Sequence, residues 1–332
     1  MLTNWSYHKG NIIVCAIMLF ISACKHKTET DPLAAIPNEM LLNIPTYDGS
    51  GQCVHPDVLL LNPPVKGNVF MMAFTPYPNY DASKENPSVL VSKNGIDFYE
   101  AVAGINPLVP APAYDHNDDP DILFDKDRQR FYLHYLKSMR PDSENIVRLE
   151  SNDGINWSAT TAVHFDLTKG DPLIVSPAFV QQSDGHSYRM WYVSLTDPSG
   201  IYNVKSLYSA DGVTWDKTRV EQVNLNLPAP LAPWHLDVIK NGLQYIMLCC
   251  CRTPQTNSQN EKLMIGTSAD GINWHFRSTP LIDSDPNFHN CESIYRSCGL
   301  ISGNTLVVYY SMDDFNNEWH IGVKKFALDT LL

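Results

Sequence analysis

Five largely hydrophobic stretches recur along the chain, and each is long enough for one β-strand with side chains alternating between its two faces. They lie at residues 69–74, 130–135, 188–193, 244–248 and 305–310. A period of two places successive side chains on opposite faces of a sheet. Because the stretches are evenly spaced, the pattern predicts a β unit that is repeated five times.

A turn motif follows each of the first four stretches and reads Ser-x-Asp-Gly-x-x-Trp in its clearest copies. It occupies residues 92–98, 151–157, 209–215 and 268–274, and its glycines are separated by 59, 58 and 59 residues. Spacing this regular marks a structural repeat. Asp or Asn before Gly favours a tight turn with positive φ between two antiparallel strands. We expect the closing Trp157, Trp215 and Trp274 to pack over these turns in the core.

A second repeated element precedes each alternating stretch and predicts the innermost strand of each unit. Its copies lie at 55–59, 119–123, 176–180 and 235–239, with a degenerate fifth at 292–296. Five units of about four short strands are typical of propeller blades rather than of a sandwich. We therefore predict an all-β fold, a single five-bladed β-propeller over residues 37–332. The predicted blades lie near 53–100, 115–160, 172–218, 233–277 and 290–328.

The fifth unit lacks the turn motif, so its outer strand has to come from elsewhere in the chain. An open ring would leave strand edges exposed. We expect residues 39–45 to supply this strand and to close the ring.

Residues 1–23 are predicted to be a signal peptide. Lys9 precedes the apolar run 12–21, which is too short to span a bilayer but suits the hydrophobic region of a signal peptide. The following Ser22-Ala23-Cys24 resembles a bacterial lipobox, so we expect lipidation at Cys24, with 24–36 as a tether. The chain would then be exported and anchored to the cell envelope, on the periplasmic or surface side of the outer membrane. An ordinary secretory signal is the alternative.

Composition excludes some classes of partner. The 332 residues include 24 Lys and Arg against 36 Asp and Glu, a net charge of −12. Nucleic-acid binding needs a basic surface, so we expect no nucleic-acid partner. We expect a monomer whose partners are a carbohydrate and, through the lipid anchor, a membrane.

Six of the eight cysteines remain after the signal peptide and Cys24 are set aside. Cys53 and Cys291 open neighbouring blades, and a disulfide between them would staple the ring. Cys298 is an alternative partner, and free buried thiols are the other possibility.

The innermost strands of a propeller line its central channel, so their first residues meet at one mouth. These residues are His55, Asp57, Asp119, Asp121, Ser176, His235, Asp237, Glu292 and Arg296. Carboxylates held together raise one another's pKa, which suits an acid and base pair at a glycosidic bond. The alternative is that each Asp only caps its own turn.

The Pro-Asp pairs and the Ser-x-Asp-Gly-x-x-Trp hairpins resemble the five-bladed propeller glycoside hydrolases, the arabinanase and xylosidase group of family 43 and its relatives. Sialidases are less similar, because their turn motif is one residue longer and they need an arginine cluster. The resemblance implies an Asp as base, a second Asp that orients, and a Glu as acid, at the positions that His55, Asp121 and Val175 occupy in this chain. Only Asp121 matches. Valine cannot donate a proton, so the expected acid is absent from its usual place.

The chemistry would therefore be carried by other groups at the mouth. We expect Asp57 as base or nucleophile, Asp121 in an orienting role, and Glu292, Asp237 or His235 as acid. A long loop in the first blade is expected to add a wall to the pocket. The predicted substrate-binding residues are His55, Tyr77, Glu85, Asn86, Asp119, Trp234, His235 and Arg296.

The sequence predicts no cofactor. Residues 115–119 begin like a calcium loop, but Pro120 and Lys126 replace the Gly and the closing Glu that an EF-hand needs. The alternative is a cation such as calcium in the central channel, held by His55 or His235.

Two functional hypotheses remain. A glycoside hydrolase needs two carboxylates roughly 5 to 10 Å apart. A glycan-binding lipoprotein needs aromatic platforms without such a pair. We favour the hydrolase because so many ionisable groups converge.

Overall fold

A computed structural model describes residues 31–113, 115–195, 202–254 and 261–332. The predicted signal peptide and the predicted lipidation at Cys24 lie outside the described residues. Within those ranges, no helix is long and apolar enough to cross a membrane.

Five antiparallel sheets build the molecule, and the predicted five-bladed β-propeller is confirmed. The first blade contains β2 (Cys53–Val65), β3 (Asn68–Pro76), β4 (Ser88–Ser92) and β5 (Phe98–Tyr99). The second contains β6 (Asn117–Asp125), β7 (Arg130–Met139), β8 (Ser143–Ser151) and β9 (Ser158–Asp166). The third contains β10 (Ile174–Gln181), β11 (Tyr188–Ser194), β12 (Asn203–Ser209) and β13 (Glu221–Gln222).

The fourth and fifth blades each carry a strand from outside their own repeat. The fourth contains β15 (Ala232–Asn241), β16 (Gln244–Arg252), β17 (Lys262–Ser268) and β18 (Asn273–Phe276), with β14 (Asn224–Asn226) added parallel to β18. The fifth contains β19 (Cys291–Ser302), β20 (Thr305–Asp314) and β21 (Trp319–Ala327). Strand β1 (Glu39–Leu41) pairs antiparallel with β21, so that Met40 lies opposite Val323 and the ring is closed by the N-terminal segment.

The helices among the described residues are single 3-10 turns. They lie at Pro78–Tyr80, Ala82–Lys84, Leu167–Lys169, Lys217–Arg219 and Leu328–Thr330.

The repeated turn motif joins the third and fourth strands of the first four blades and holds itself together. In the second blade, Asp153 Oδ1 accepts the backbone N–H groups of Ile155 at 2.9 Å and Asn156 at 2.8 Å. Gly154 has φ +72°, and a Cβ there would lie 2.6 Å from Met71 Cε of the first blade. The turn therefore needs glycine both for its backbone and for the contact between blades.

The tryptophans of the motif differ in burial. Trp215 and Trp274 are buried and donate from Nε1 to Gly212 O and Gly271 O of their own turns. Trp157 is only half-buried. The expectation that all three belong to the core holds for two of them.

All six cysteines in the described part of the chain are buried and free. The disulfide considered between Cys53 and Cys291, or to Cys298, is not formed. The apolar core lies between adjacent blades rather than within one, and Leu33, Ile36, Leu42 and Ile44 of the N-terminal segment are part of it.

Candidate functional site

Three innermost strands begin with a residue in the left-handed region, and this re-aims their side chains. His55 has φ +57°, Asp119 φ +48° and Ser176 φ +54°. Each sits in a β-bulge where the register with the second strand slips. Non-glycine residues with positive φ are strained, and such strain is common at functional sites. A bulge bends its strand and re-aims the side chains around it, and bulges are common next to functional sites.

His55, Asp119 and His235 form a buried cluster at the mouth of the channel. Asp119 Oδ1 lies 3.2 Å from His235 Nδ1 and 3.6 Å from His55 Nε2. Those two ring nitrogens, together with His235 Nε2, have no hydrogen-bond partner. Buried polar atoms almost always have a hydrogen-bond partner. Ring nitrogens that face one carboxylate oxygen without such a partner therefore indicate that a further atom or ion binds between them.

The cluster fits a divalent cation. Its three ligand atoms lie within 4.8 Å of one another. Two imidazoles and one carboxylate suit zinc and similar metals, and three protein ligands leave a position for water or substrate. Burial lowers the pKa of His55 to about 3, although Asp119 opposes this, so the ring is neutral at physiological pH and able to ligate.

Neighbouring groups hold the cluster in place. His55 Nδ1 lies 3.0 Å from Thr75 Oγ1. Asp119 Oδ2 accepts the backbone N–H of Ser176 at 2.7 Å, and Asp119 Oδ1 accepts a bond from Arg296 Nη1 at 3.1 Å. Burial alone would raise the pKa of Asp119, but His235, His55 and Arg296 outweigh it and hold that pKa well below the ordinary range. A carboxylate oxygen has two lone pairs, so Oδ1 keeps one for a cation.

Glu85 reaches the cluster from the loop between β3 and β4. Its Oε1 lies 3.8 Å from His55 Nδ1, and the side chain is buried. Burial, followed by the charges of Asp118 and Asp119, raises the pKa of Glu85 well above the usual value. A carboxyl with a raised pKa can act as a general acid or base.

Asn86, the neighbour of Glu85, has a structural role. Its amide donates to Tyr47 Oη at 3.1 Å and accepts from Asn117 Nδ2 at 2.9 Å. These bonds fix the loop that carries Glu85, so the predicted contact of Asn86 with substrate is not needed to explain its burial.

His116 was not among the residues predicted from the sequence. Its Nδ1 lies 2.5 Å from Asp115 Oδ1, and its Nε2 lies 3.0 Å from Asp118 Oδ2. Burial would lower the pKa of His116, but Asp118 and Asp115 raise it to about 9. The ring is therefore a cation that compensates Asp118 beside Glu85. The acidic run 115–119 was the available signal, although it matched no known loop.

Asp57, Asp121 and Asp237 lie further along the channel and tie the blades together. Asp57 Oδ2 accepts the backbone N–H of Ile122 at 2.5 Å, and Asp121 Oδ2 accepts that of Phe179 at 3.2 Å. The backbone N–H of Gly299 bonds Asp237 in the same way. Each aspartate thus caps an amide of the next inner strand rather than its own turn.

Arg296 occupies the channel among these carboxylates. The guanidinium is 1% exposed, and its Nη2 lies 3.7 Å from Asp121 Oδ2 and 3.2 Å from Pro177 O. Asp57 and Asp237 also raise the pKa of Arg296. The predicted role of Arg296 in substrate binding stays a prediction, and in the structure the guanidinium is paired with Asp119 and Asp121.

The fifth blade is in a different register from the one expected. Cys298 Sγ accepts the N–H of Val58, just as Asp237 accepts that of Gly299. Cys298 therefore takes the place of the aspartate, and Arg296 the place of His55. Glu292 lies four residues upstream of Arg296, where it is half-buried near Asp313. The sequence missed this because the fifth copy has neither Pro nor Asp.

An aromatic wall covers one side of the cluster. The ring of Tyr295 lies 4.2 Å from that of His235 and 5.3 Å from that of His55. Trp319 packs on Tyr295 at 5.2 Å, and the predicted Tyr77 packs on Trp319 at 5.7 Å. Tyr77 is half-buried and presents part of its ring at the mouth. Aromatic faces of this kind bind the apolar faces of sugars.

Trp234 lies beside His235, at a bulge in β15. Its ring packs edge-on against His235 at 5.1 Å and carries the guanidinium of Arg252 at 3.6 Å. The predicted position of Trp234 at the mouth therefore agrees with its contacts.

Comparisons with known proteins bear on this arrangement. No family model matches the chain. A curated relative, the A type blood N-acetyl-alpha-D-galactosamine deacetylase of Flavonifractor plautii, is 27% identical over 87% of this chain and 45% of that protein. The chain thus spans about half the length of the relative.

Solved structures show the same architecture. An N-acetylgalactosamine deacetylase from F. plautii in complex with blood group B trisaccharide superimposes with a TM-score of 0.77, at 21% identity over 88% of this chain and 96% of that one. A thermostable family-43 glycoside hydrolase gives 0.62, at 14% identity over 83% and 89%. These likenesses establish the fold. The predicted resemblance to family 43 is thus confirmed for the architecture.

Proposed function

We propose that this chain is a carbohydrate-active enzyme that removes the acetyl group from an N-acetylated amino sugar, with a divalent metal ion held by His55, Asp119 and His235. The observation that carries the proposal is the pair of buried imidazoles whose unpartnered nitrogens face one oxygen of Asp119. The names of the F. plautii relatives support the choice of bond.

A metal at this cluster would polarise the acetamido carbonyl and lower the pKa of a bound water. Glu85, whose Oε1 lies 3.8 Å from His55 Nδ1, would take a proton from the attacking water and pass it to the departing nitrogen. The hydroxyl oxygen of the water bonds to the acetyl carbon, the C–N bond breaks, and the products are acetate and the free amino sugar. The His55, Asp119 and His235 side chains are held rigidly by Thr75, Ser176 and the aromatic wall, so little reorganisation is needed.

The test is release of acetate and of a free amine from N-acetylhexosamine glycosides. Dialysis against a chelator should abolish release, and added Zn²⁺ or another divalent ion should restore it. Glu85→Gln should lower kcat by about 10²- to 10⁴-fold through loss of acid–base catalysis, and Asp119→Asn should lower metal affinity as well. Asp127→Asn, an exposed carboxylate on the β6–β7 hairpin, is the matched control. Full activity in the Asp119 variant would contradict the proposal.

Glycoside hydrolysis is the second candidate, and Asp313 favours it. Burial raises the pKa of Asp313 to about 6, although Tyr80 donates to it at 2.7 Å, and Glu292 is a charged neighbour. These two carboxyls lie beside the aromatic wall, where a general acid and its partner would be needed. Release of reducing sugar without acetate, abolished by Asp313→Asn, would establish this function instead.

A further inference from the structure

Trp234 and Arg252 of the fourth blade form a binding feature that the proposed reaction does not use. Arg252 ends β16, and its guanidinium lies 3.6 Å from the ring centre of Trp234 and 4.8 Å from that of Tyr202. Its Nη2 donates to Tyr202 Oη at 2.6 Å. The two rings and this bond fix the plane of the guanidinium, so its remaining N–H groups are oriented before any ligand arrives.

Arg252 has no ion pair with any residue that the structure describes, unlike the other arginines near the mouth. Arg296 is paired with Asp119 and Asp121, and Arg140 with Glu144. A half-buried guanidinium stacked on tryptophan retains its charge, because arginine does not lose its proton in proteins. In a chain with a net charge of −12, this is a positive group that no carboxylate in the described ranges neutralises.

The position of the pair relates it to the candidate metal site. The ring of Trp234 contacts both the guanidinium of Arg252, at 3.6 Å, and the ring of His235, at 5.1 Å. A cleft of about 390 Å³ is lined by Tyr202, which also contacts Arg252, and by Ala232, Pro233 and Pro254 among others. The contact with His235 places the pair one aromatic ring away from the candidate metal site.

We propose that Arg252 and Trp234 form a subsite for an anionic sugar, whose carboxylate or sulfate ester binds the guanidinium while its ring lies on the adjoining apolar surface. The proposal rests on the proposed function and names the class of substrate, an acidic glycan in which an anionic residue adjoins the N-acetylated one. The planar guanidinium matches two oxygens of either anion with two parallel hydrogen bonds.

The experiment measures binding by calorimetry to the full chain at low ionic strength. The ligands are three matched N-acetylhexosamine disaccharides: one neutral, one with a uronic acid and one with a sulfate ester. We expect an anionic disaccharide to bind about 10- to 100-fold more tightly than the neutral one, as for hydrogen bonds to a charged group. Whichever anion shows the preference identifies the substituent.

Variants separate the subsite from general electrostatics. Arg252→Gln should remove the preference for the anion and leave affinity for the neutral disaccharide within about twofold, whereas Arg252→Lys should keep a smaller preference because it supplies only a point charge. Lys66→Gln, on the exposed β2–β3 hairpin, makes the same change in net charge and should have no effect. Equal affinity of the unmodified chain for all three disaccharides, or an unchanged preference in Arg252→Gln, would overturn the proposal.

Binding is measured independently of turnover, so failure of acetate release would not mask the result. Where acetate is released, Arg252→Gln should raise KM for the anionic substrate and leave kcat nearly unchanged. A merely structural role for Arg252 would instead lower the affinity for the neutral disaccharide by the same factor.

Discussion

Arg296 supplies the positive charge that compensates the buried carboxyls at the centre of the ring. Four buried carboxyls surround it, and without a cation their mutual repulsion and desolvation would be severe. Burial and then Asp57 raise the pKa of Asp237 to about 7, even with the guanidinium nearby.

Replacing Arg296 tests this role. Arg296→Met should lower the free energy of unfolding by about 3 to 5 kcal/mol at pH 8, measured by urea denaturation, because it leaves buried charges unpaired. The folded-state pKa of Asp237 is already above its ordinary value and would rise further. The loss should therefore be smaller at pH 5, where the carboxyl is protonated in the folded state, and grow as pH rises through about 7. Arg219→Met, at an exposed position, should change stability by less than about 0.5 kcal/mol.

The sequence pattern predicted most residues of the mouth but not which role each of them has. His55, Asp119 and His235 were predicted as substrate contacts, with a cation at His55 or His235 as the alternative, and their geometry fits a metal. The catalytic role of Asp57, Asp121 and Asp237 stays a prediction, and in the structure they accept backbone N–H groups from the next blade. A residue of the first set and a residue of the second lie two positions apart on one strand, as His55 and Asp57 do, so the sequence alone does not distinguish their roles. In the structure a β-bulge lies at this point of the strand.

At the scale of the element, the turn motif was the most informative pattern because its chemistry is local. Ser, Asp and Gly satisfy one another within five residues, so no distant contact is needed to read the hairpin. The fifth blade, which lacks the motif, is also the blade whose inner strand was assigned in the wrong register. Its inner strand is defined by contacts with β2 and β15, which no local pattern encodes.

Removing the aspartate from one turn should have a moderate and pH-dependent cost. The backbone N–H of Thr214 and then that of Val213 lower the pKa of Asp211 to about 2. Asp211→Ala should destabilise the fold by about 1 kcal/mol at pH 7, since the four hydrogen bonds that its carboxylate accepts in a mostly exposed turn are lost. Because the folded-state pKa is below the unfolded one, this stabilisation should disappear as pH falls from about 4 to about 2.

The check is thermal unfolding at several pH values beside Asp216→Ala, which removes a side chain that only caps the 3-10 turn after it. An Asp211 variant whose deficit is constant between pH 7 and pH 2 would show that hydrogen bonding by the ionised carboxylate is not its cause.

At the scale of the molecule, the ring depends on the segment before the first blade. Leu33, Ile36, Leu42 and Ile44 are buried between the first and fifth blades, and β1 covers the edge of β21. Deleting 31–45 should cost about 6 kcal/mol or more, at about 1.5 kcal/mol or more for each buried side chain. We expect loss of the cooperative thermal transition and aggregation through the exposed edge.

Glu39→Gln is the control for this deletion, because it removes only the half-exposed pair with Lys324, at 2.7 Å. Exposed ion pairs contribute little, so its melting temperature should be nearly unchanged. A deleted chain that melts cooperatively at the original temperature would show that the closing strand is dispensable.

The closure also sets an order of events as the chain folds. Blades one to four draw their strands from contiguous sequence, apart from β14, so their hairpins can form as soon as each is synthesised. The pairing of β1 with β21 joins segments near opposite ends of the chain and waits for the last blade. Loop closure over so long a separation is slow. We therefore expect β1 to stay unpaired until that final step, with the edge of β21 exposed to pairing with other chains.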